Sequence, residues 1–257
     1  MKRIVKILML IIATVLLLSG CSKNKTREYV ELNIYAASSL KGAMAKIDEE
    51  YNKIHENIKL VINYGASGSL QKQIEQGDAC DVFISAGKSQ MDMLSEHGFL
   101  LGDKYEELIK NELVLIASKD SELNDIYGLT GDKIENIAIG EPNSVPAGKY
   151  ASEVIYNSHL TNSLKQKLVF AKDVKEVFAW VKAGNAQAGF VYYSDILNRD
   201  DIKIVDATFE DLHSKIIYPI SVIKGSKKTE EAKLFEDFLI SNKGQDIFKE
   251  FGYKTIK

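Results

Sequence analysis

Strand-like and helix-like patterns of hydrophobicity alternate along this chain, and the alternation constrains its fold more than any other feature. Apolar and polar residues alternate from Val30 to Tyr35, as in a half-buried strand. The next apolar residues recur at helical spacing, at Leu40, Met44, Ile47 and Tyr51. Further short apolar strands lie at 58–62, 82–84, 137–139 and 189–192. Repeated β-α units predict an α/β fold whose parallel-rich sheets are flanked by helices.

The chain of 257 residues is long enough for two lobes of about 100 residues each. No segment rich in proline, glycine and serine separates them, so we expect ordered strands to join the lobes as hinges. The best candidates are the apolar segments 112–116 and 218–223. This organisation predicts a first lobe from residues 30–112 and 218–257, and a second lobe from residues 113–217.

Residues 1–20 have the order of charges and apolar residues that is typical of a signal peptide. Three basic residues precede an uncharged stretch of 12 residues, 7–18, which is short of the roughly 20 that a membrane-spanning helix needs. The ending Leu18-Ser19-Gly20-Cys21 resembles the lipobox of bacterial lipoproteins, in which the cysteine carries the lipid. We therefore predict lipidation at Cys21 and a polar tether over 21–29. An uncleaved anchor helix is the alternative, and both interpretations place the globular part outside the cytoplasm.

The balance of charges argues against a nucleic-acid partner. The 33 basic and 36 acidic residues give a formal net charge of −3, without the basic excess that phosphates attract. Removal of residues 1–20 takes away three of the 33 basic residues and no acidic one, which leaves a net charge of −6. With Cys21 acylated, Cys80 is the one remaining thiol and cannot form an intramolecular disulfide. The four histidines lack paired spacing, so no metal site is predicted.

The same local arrangement occurs twice, at 36–40 (AASSL) and 66–70 (ASGSL): an apolar strand, a turn of small residues with serine, then a helix. A helix N-terminus attracts anions, because its first N–H groups are unpaired and its dipole is positive there. Small residues let the backbone approach a ligand, and serine adds a hydroxyl donor. Simple N-capping by serine is the alternative for each turn. Two later helix starts have their own candidate caps, Asp173 and Ser194.

Five motifs in sequence order make a more specific comparison possible: YAASSL (35–40), GASGSL (65–70), DVFISA (81–86), VPAGKY (145–150) and GFVY (189–192). Together with FKEFGY at 248–253, they resemble the molybdate-binding proteins of molybdate ABC transporters, often called ModA. The resemblance covers nearly the whole chain after residue 31. It implies a type II periplasmic-binding-protein fold, in which two α/β lobes, each a mixed, mostly parallel sheet flanked by helices, close over one tetrahedral oxyanion.

The resemblance also implies five binding positions, which are Ser39, Ser67, Ala147, Val174 and Tyr192. The serines and the tyrosine would donate from hydroxyl groups, and the other two residues from backbone N–H groups at helix starts. Because Ser38 precedes Ser39 and Tyr193 follows Tyr192, the register of both positions is open by one residue.

The function implied is that of an extracytoplasmic lipoprotein that captures molybdate, and also tungstate, for an ABC permease. The resemblance implies a monomer without a cofactor or a direct cation site. Two alternatives stay open at this point: a binder of another oxyanion such as sulfate, and a secreted serine hydrolase that uses Ser67. The hydrolase motif G-x-S-x-G is incomplete, because position 69 is serine where the motif has glycine.

Overall fold

The computed structural model describes residues 29–256. The predicted signal peptide (1–20), the predicted lipidation site Cys21 and the tether as far as residue 28 lie outside the described residues. Between residues 29 and 256, no helix combines the length and the apolar character needed to cross a membrane.

Within the described range the chain forms eleven strands and nine α-helices. The strands are β1 (Val30–Ala37), β2 (Ile58–Gly65), β3 (Val82–Ile84), β4 (Glu106–Lys110), β5 (Leu113–Ser118), β6 (Ile137–Gly140), β7 (Leu168–Ala171), β8 (Ala188–Tyr192), β9 (Ile202–Asp206), β10 (Ile217–Val222) and β11 (Lys254–Thr255). The helices are α1 (Lys41–Asn52), α2 (Ser67–Glu75), α3 (Lys88–Glu96), α4 (Pro146–Asn157), α5 (Thr161–Leu164), α6 (Val174–Lys182), α7 (Tyr193–Ile196), α8 (Thr229–Ile240) and α9 (Asn242–Glu250).

Two mixed sheets organise these elements. The first sheet has the strand order β11-β4-β10-β3-β1-β2, and the second has the order β7-β6-β8-β5-β9. Strands β1, β2 and β3 run parallel, as do β6, β7 and β8, whereas β10 and β5 run antiparallel to their neighbours. Most strands of each sheet therefore share one direction. The predicted α/β class with two sheets flanked by helices is confirmed.

The chain passes between the two sheets twice, at Asn111-Glu112 and through residues 207–216. The two crossings lie side by side, because the Asn111 N–H donates to the Ile216 carbonyl at 3.2 Å. The segments predicted as hinge strands, 112–116 and 218–223, correspond to β5 and β10, which begin directly after the crossings. The exact lobe limits remain a prediction.

The helices pack through the apolar stripes that the sequence indicated. Helix α1 buries Ala43, Met44, Ile47 and Tyr51. Helix α6 buries Val174, Val177, Phe178 and Val181, and its predicted cap Asp173 accepts the Glu176 N–H at 2.9 Å. Each large aliphatic or aromatic side chain buried in this way contributes about 1.5–3 kcal/mol. This packing fixes the helix N-termini at the strand ends, where the two sheets face each other.

Candidate functional site

One small cavity between the two lobes contains all five residues that the sequence predicted for binding. The centre of a water-sized sphere can occupy only about 10 Å³ of it. Twelve residues line it: Ala37, Ser38, Ser39, Gly65, Ala66, Ser67, Ala86, Val145, Pro146, Ala147, Val174 and Tyr192. Within residues 29–256, no lysine, arginine or carboxylate side chain belongs to this lining. The cavity is thus lined by neutral groups and is small compared with the pockets of drug-sized ligands.

The lobes contact each other around the cavity. The Gly68 N–H at the start of α2 donates to the Ser144 carbonyl, in the loop before α4, at 2.9 Å. On the other side, the Tyr192 hydroxyl donates to the Ala86 carbonyl at 3.4 Å. The structure therefore represents a closed arrangement, in which groups from both sheets surround the same small space.

Ser67 is the first residue of α2, and its hydroxyl does not cap the helix. The N-cap position belongs to Ala66, which makes no side-chain hydrogen bond. Instead, the buried Ser67 Oγ accepts the Ala86 N–H at 2.9 Å. Because this bond uses an acceptor position of Oγ, the hydroxyl hydrogen stays available to a group in the cavity. Simple N-capping is therefore wrong as an explanation of this serine.

Ser39 lies in a short 3-10 turn, Ser38–Leu40, that also lacks a side-chain cap. Its Oγ lies 3.0 Å from the Tyr218 hydroxyl, and its backbone carbonyl accepts the Tyr253 hydroxyl at 2.9 Å. Both tyrosines are buried, so Ser39 is held from behind by aromatic side chains of the first sheet and the C-terminal segment. Ser38 also lines the cavity, and the choice of Ser39 over Ser38 remains a prediction.

Ala147 and Val174 contribute backbone rather than side-chain chemistry. Ala147 follows Pro146, the first residue of α4, and Val174 is the first residue of α6. N–H groups in the first turn of a helix have no acceptor within that helix. The two N–H groups therefore stand at the positive ends of two helix dipoles, both at the cavity.

Tyr192 ends β8 and lines the cavity, whereas Tyr193 begins α7 and is absent from the twelve lining residues. Burial raises the pKa of the Tyr192 hydroxyl well above its usual value, so this group keeps its proton, which must turn away from the Ala86 carbonyl to be donated to a ligand. The predicted cap Ser194 is wrong, because it lies inside α7. The Asp195 carboxylate performs the capping and accepts the Tyr192 N–H at 3.3 Å.

A half-buried ion pair lies behind Tyr192. The Lys175 ammonium is 2.6 Å from the fully buried Asp195 carboxylate. Burial raises the pKa of Asp195, while the adjacent Lys175 opposes that rise. The lysine charge compensates a carboxylate that would otherwise repel an anion in the neighbouring cavity.

Three residues of the site region were missed by the sequence reasoning. Ala86 closes the DVFISA motif, but its role in holding Ser67 and Tyr192 depends on contacts between elements distant in sequence. Asn111 and Tyr218 are 107 positions apart and meet through a side-chain hydrogen bond of 3.2 Å. The one signal available in the sequence was the polar hydroxyl of Tyr218 within an otherwise largely apolar strand.

Two α/β lobes that close over a small cavity lined by neutral donors define a solute-binding protein. The chain belongs to the family described as bacterial extracellular solute-binding proteins, whose model matches residues 32–254. This membership places it outside the cytoplasm.

Individual relatives agree with that family. A Bacillus subtilis protein, YvgL, described as an ABC transporter substrate-binding lipoprotein, is 38% identical over 93% of each chain. The molybdate-binding protein ModA of Escherichia coli is 33% identical over 88% of this chain and 90% of its own. Among solved structures, a substrate binding domain assigned to a molybdenum ABC transporter of Clostridium difficile is 60% identical. It covers 89% of this chain and 100% of its own, with a TM-score of 0.69. All three are described as substrate-binding or molybdate-binding proteins.

Proposed function

We propose that this protein captures molybdate, and also tungstate, in the cavity between its lobes and delivers the anion to an ABC permease. The binding residues would be Ser39, Ser67, Ala147, Val174 and Tyr192. The observation that carries the proposal is their convergence: five groups that can donate hydrogen bonds, from five separate segments, line one closed space. The names of the molybdate-binding relatives supply the particular anion.

Neutral donors are sufficient to hold a dianion in such a site. A hydrogen bond to a charged partner contributes about 1.5–3 kcal/mol, so several of them together give strong binding. The helix N-termini at Ala147 and Val174 add the favourable ends of two dipoles. The mature chain would have a net charge of −6, so the attraction must come from these local groups rather than from the whole surface.

Binding would be coupled to closure of the lobes. Ser39 and Ser67 belong to segments of the first sheet, whereas Ala147, Val174 and Tyr192 belong to segments of the second. An anion contacts all five groups only when the lobes are together, so it shifts the population toward the closed arrangement. The crossings at Asn111-Glu112 and 207–216 would act as the hinge.

We also propose that the protein is a monomer anchored to the membrane by lipid on Cys21, without a cofactor. The lipobox-like sequence before Cys21 supports the anchor. A catalytic role for Ser67 is not favoured, because a nucleophilic serine needs an adjacent base. The polar partner of Ser67 Oγ is the Ala86 N–H, and within residues 29–256 no histidine lines the cavity.

The proposal is tested by calorimetric titration of the soluble chain that begins at Ser22. Molybdate and tungstate are expected to bind reversibly with one site per chain and to raise the unfolding temperature. Sulfate is expected to bind more weakly because it is smaller, and hydrogen phosphate because donors alone cannot accept its proton. If neither molybdate nor tungstate gives heat or a thermal shift, the ligand assignment is wrong. Tighter binding of sulfate would favour the alternative oxyanion.

The Ser67→Ala variant is expected to bind molybdate with a free energy weaker by about 1.5–3 kcal/mol, roughly 10- to 150-fold in affinity. The reason is the loss of one hydroxyl donor to a charged ligand. Ser69→Ala is the matched control, because Ser69 lies two residues along the same helix but is exposed. Equal affinities of the two variants, measured by titration, would remove Ser67 from the site.

A further inference from the structure

A buried chain of hydrogen bonds lies behind Ser39. The Asn111 amide nitrogen Nδ2 is 3.2 Å from the Tyr218 hydroxyl oxygen, and that oxygen is 3.0 Å from Ser39 Oγ. All three side chains are buried. The chain thus leads from the crossing between the sheets to the wall of the cavity.

The contacts of Asn111 determine the direction of the first bond in this chain. Its Oδ1 accepts the Glu112 N–H at 2.9 Å, so the amide oxygen must face that donor and Nδ2 must face Tyr218. An amide NH₂ group can only donate, and the Tyr218 oxygen therefore accepts. Burial raises the pKa of Tyr218 well above its usual value, so its hydroxyl keeps its hydrogen and can donate it to Ser39 Oγ, which lies 3.0 Å away.

This direction restricts what Ser39 can offer to a ligand. With its oxygen accepting from Tyr218, the single hydrogen of Ser39 is available to a ligand in the cavity that Ser39 lines. Ser67 is arranged in the same way, because the Ala86 N–H occupies its oxygen from behind. Both serines consequently present hydrogens, and an anion whose own oxygen carries a hydrogen meets a donor where it needs an acceptor.

We propose that Tyr218, oriented by Asn111, is a positioning residue that holds Ser39 as a hydrogen-bond donor and thereby favours fully deprotonated oxyanions over protonated ones. This inference rests on the proposed function and adds the origin of its selectivity. Asn111 Nδ2 also donates to Ser194 Oγ, in α7 after the second sheet, at 2.9 Å. The Asn111 amide group therefore links Tyr218, in the first sheet, to the helix that follows β8 of the second sheet.

The test compares selenate with arsenate, which are tetrahedral and similar in size. At about pH 8 selenate carries no proton and arsenate carries one, so their affinity ratio reports the cost of that proton. Affinities of the soluble chain are measured by competition with molybdate. The wild type is expected to prefer selenate, and Tyr218→Phe is expected to reduce the selenate-to-arsenate ratio by at least about tenfold.

Tyr253→Phe is the matched control. Tyr253 is equally buried and its ring packs against Tyr218 at 5.6 Å, but its hydroxyl gives its single hydrogen to the Ser39 backbone carbonyl and therefore cannot donate to Oγ. Its loss is expected to change both affinities in parallel and to leave the ratio within about twofold of the wild type. If Tyr218 had a purely structural role, Tyr218→Phe would also change both affinities in parallel and leave their ratio unchanged.

A second variant, Asn111→Asp, keeps the shape of the side chain but replaces the donor with an acceptor. Tyr218 would then donate to residue 111 and release Ser39, so the ratio should fall here as well. Thermal unfolding shows whether each variant is folded. If Tyr218→Phe does not fold, the affinity ratio of Asn111→Asp decides the test. If the folded variants keep the selenate-to-arsenate ratio of the wild type, this inference is overturned. Molybdate binding by the wild type would still support the proposed function. Absence of molybdate binding by the wild type refutes both.

Discussion

Replacing Gly68 with alanine is expected to weaken anion binding by roughly 30- to 1000-fold while the unliganded protein stays folded. A Cβ atom at Gly68 would lie 2.8 Å from both Cα and the carbonyl oxygen of Ser144. These are backbone atoms of the opposite lobe, so they can give way only if the lobes separate. The added methyl group and the lost hydrogen bond to Ser144 together disfavour closure by about 2–4 kcal/mol.

The open arrangement does not contain this contact, so the unfolding temperature without ligand should stay near that of the wild type. Titration with molybdate and thermal unfolding with and without it measure the two effects separately. Gly225→Ala is the control, because a Cβ there would meet no atom within 4 Å. If Gly68→Ala binds molybdate with the affinity of the wild type, binding does not require the contact between α2 and the loop that contains Ser144.

Gly68 also shows how far sequence reasoning reached. The small residues of the GASGSL turn were predicted to let a ligand approach the backbone. At Gly68 the close neighbour is the second lobe instead, because this glycine touches the loop that leads into α4. The sequence could indicate that space was needed there, but not which group would occupy it, since that depends on the packing of two sheets.

The same distinction separates the predictable parts of the site from the rest. The helix start at Val174, with Asp173 as its cap, follows from local rules of capping and periodicity, and the structure has it where it was expected. Tyr218 and Tyr253 reach Ser39 from distant segments, Asn111 reaches Tyr218 from a third, and no spacing rule relates them. The resemblance to a family predicted which residues meet in the cavity, whereas the groups that orient them required the three-dimensional packing.

Gly148→Ala is expected to destabilise the fold itself by about 3–5 kcal/mol, a larger effect than most single substitutions have. A Cβ at Gly148 would lie 1.8 Å from the Gly140 carbonyl oxygen and 2.4 Å from its carbon. Helix α4 thus packs directly on the backbone of β6, and the atoms that the new Cβ would meet are all backbone atoms that cannot yield as a side chain could. The helix start would have to move, and the Ala147 N–H would move with it.

The unfolding temperature of Gly148→Ala should therefore fall by roughly 6–20 °C, because 1 kcal/mol corresponds to about 2–4 °C in a protein of this size. Gly42→Ala is the matched control: it also adds a methyl group near the start of a helix, but its nearest neighbour is the Phe251 ring at 3.2 Å. A side chain can adjust by a few tenths of an ångström where a backbone carbonyl cannot, so Gly42→Ala should change stability little. Similar unfolding temperatures for both variants would contradict the rigid contact between α4 and β6, and with it the backbone positioning that places the Ala147 N–H at the cavity.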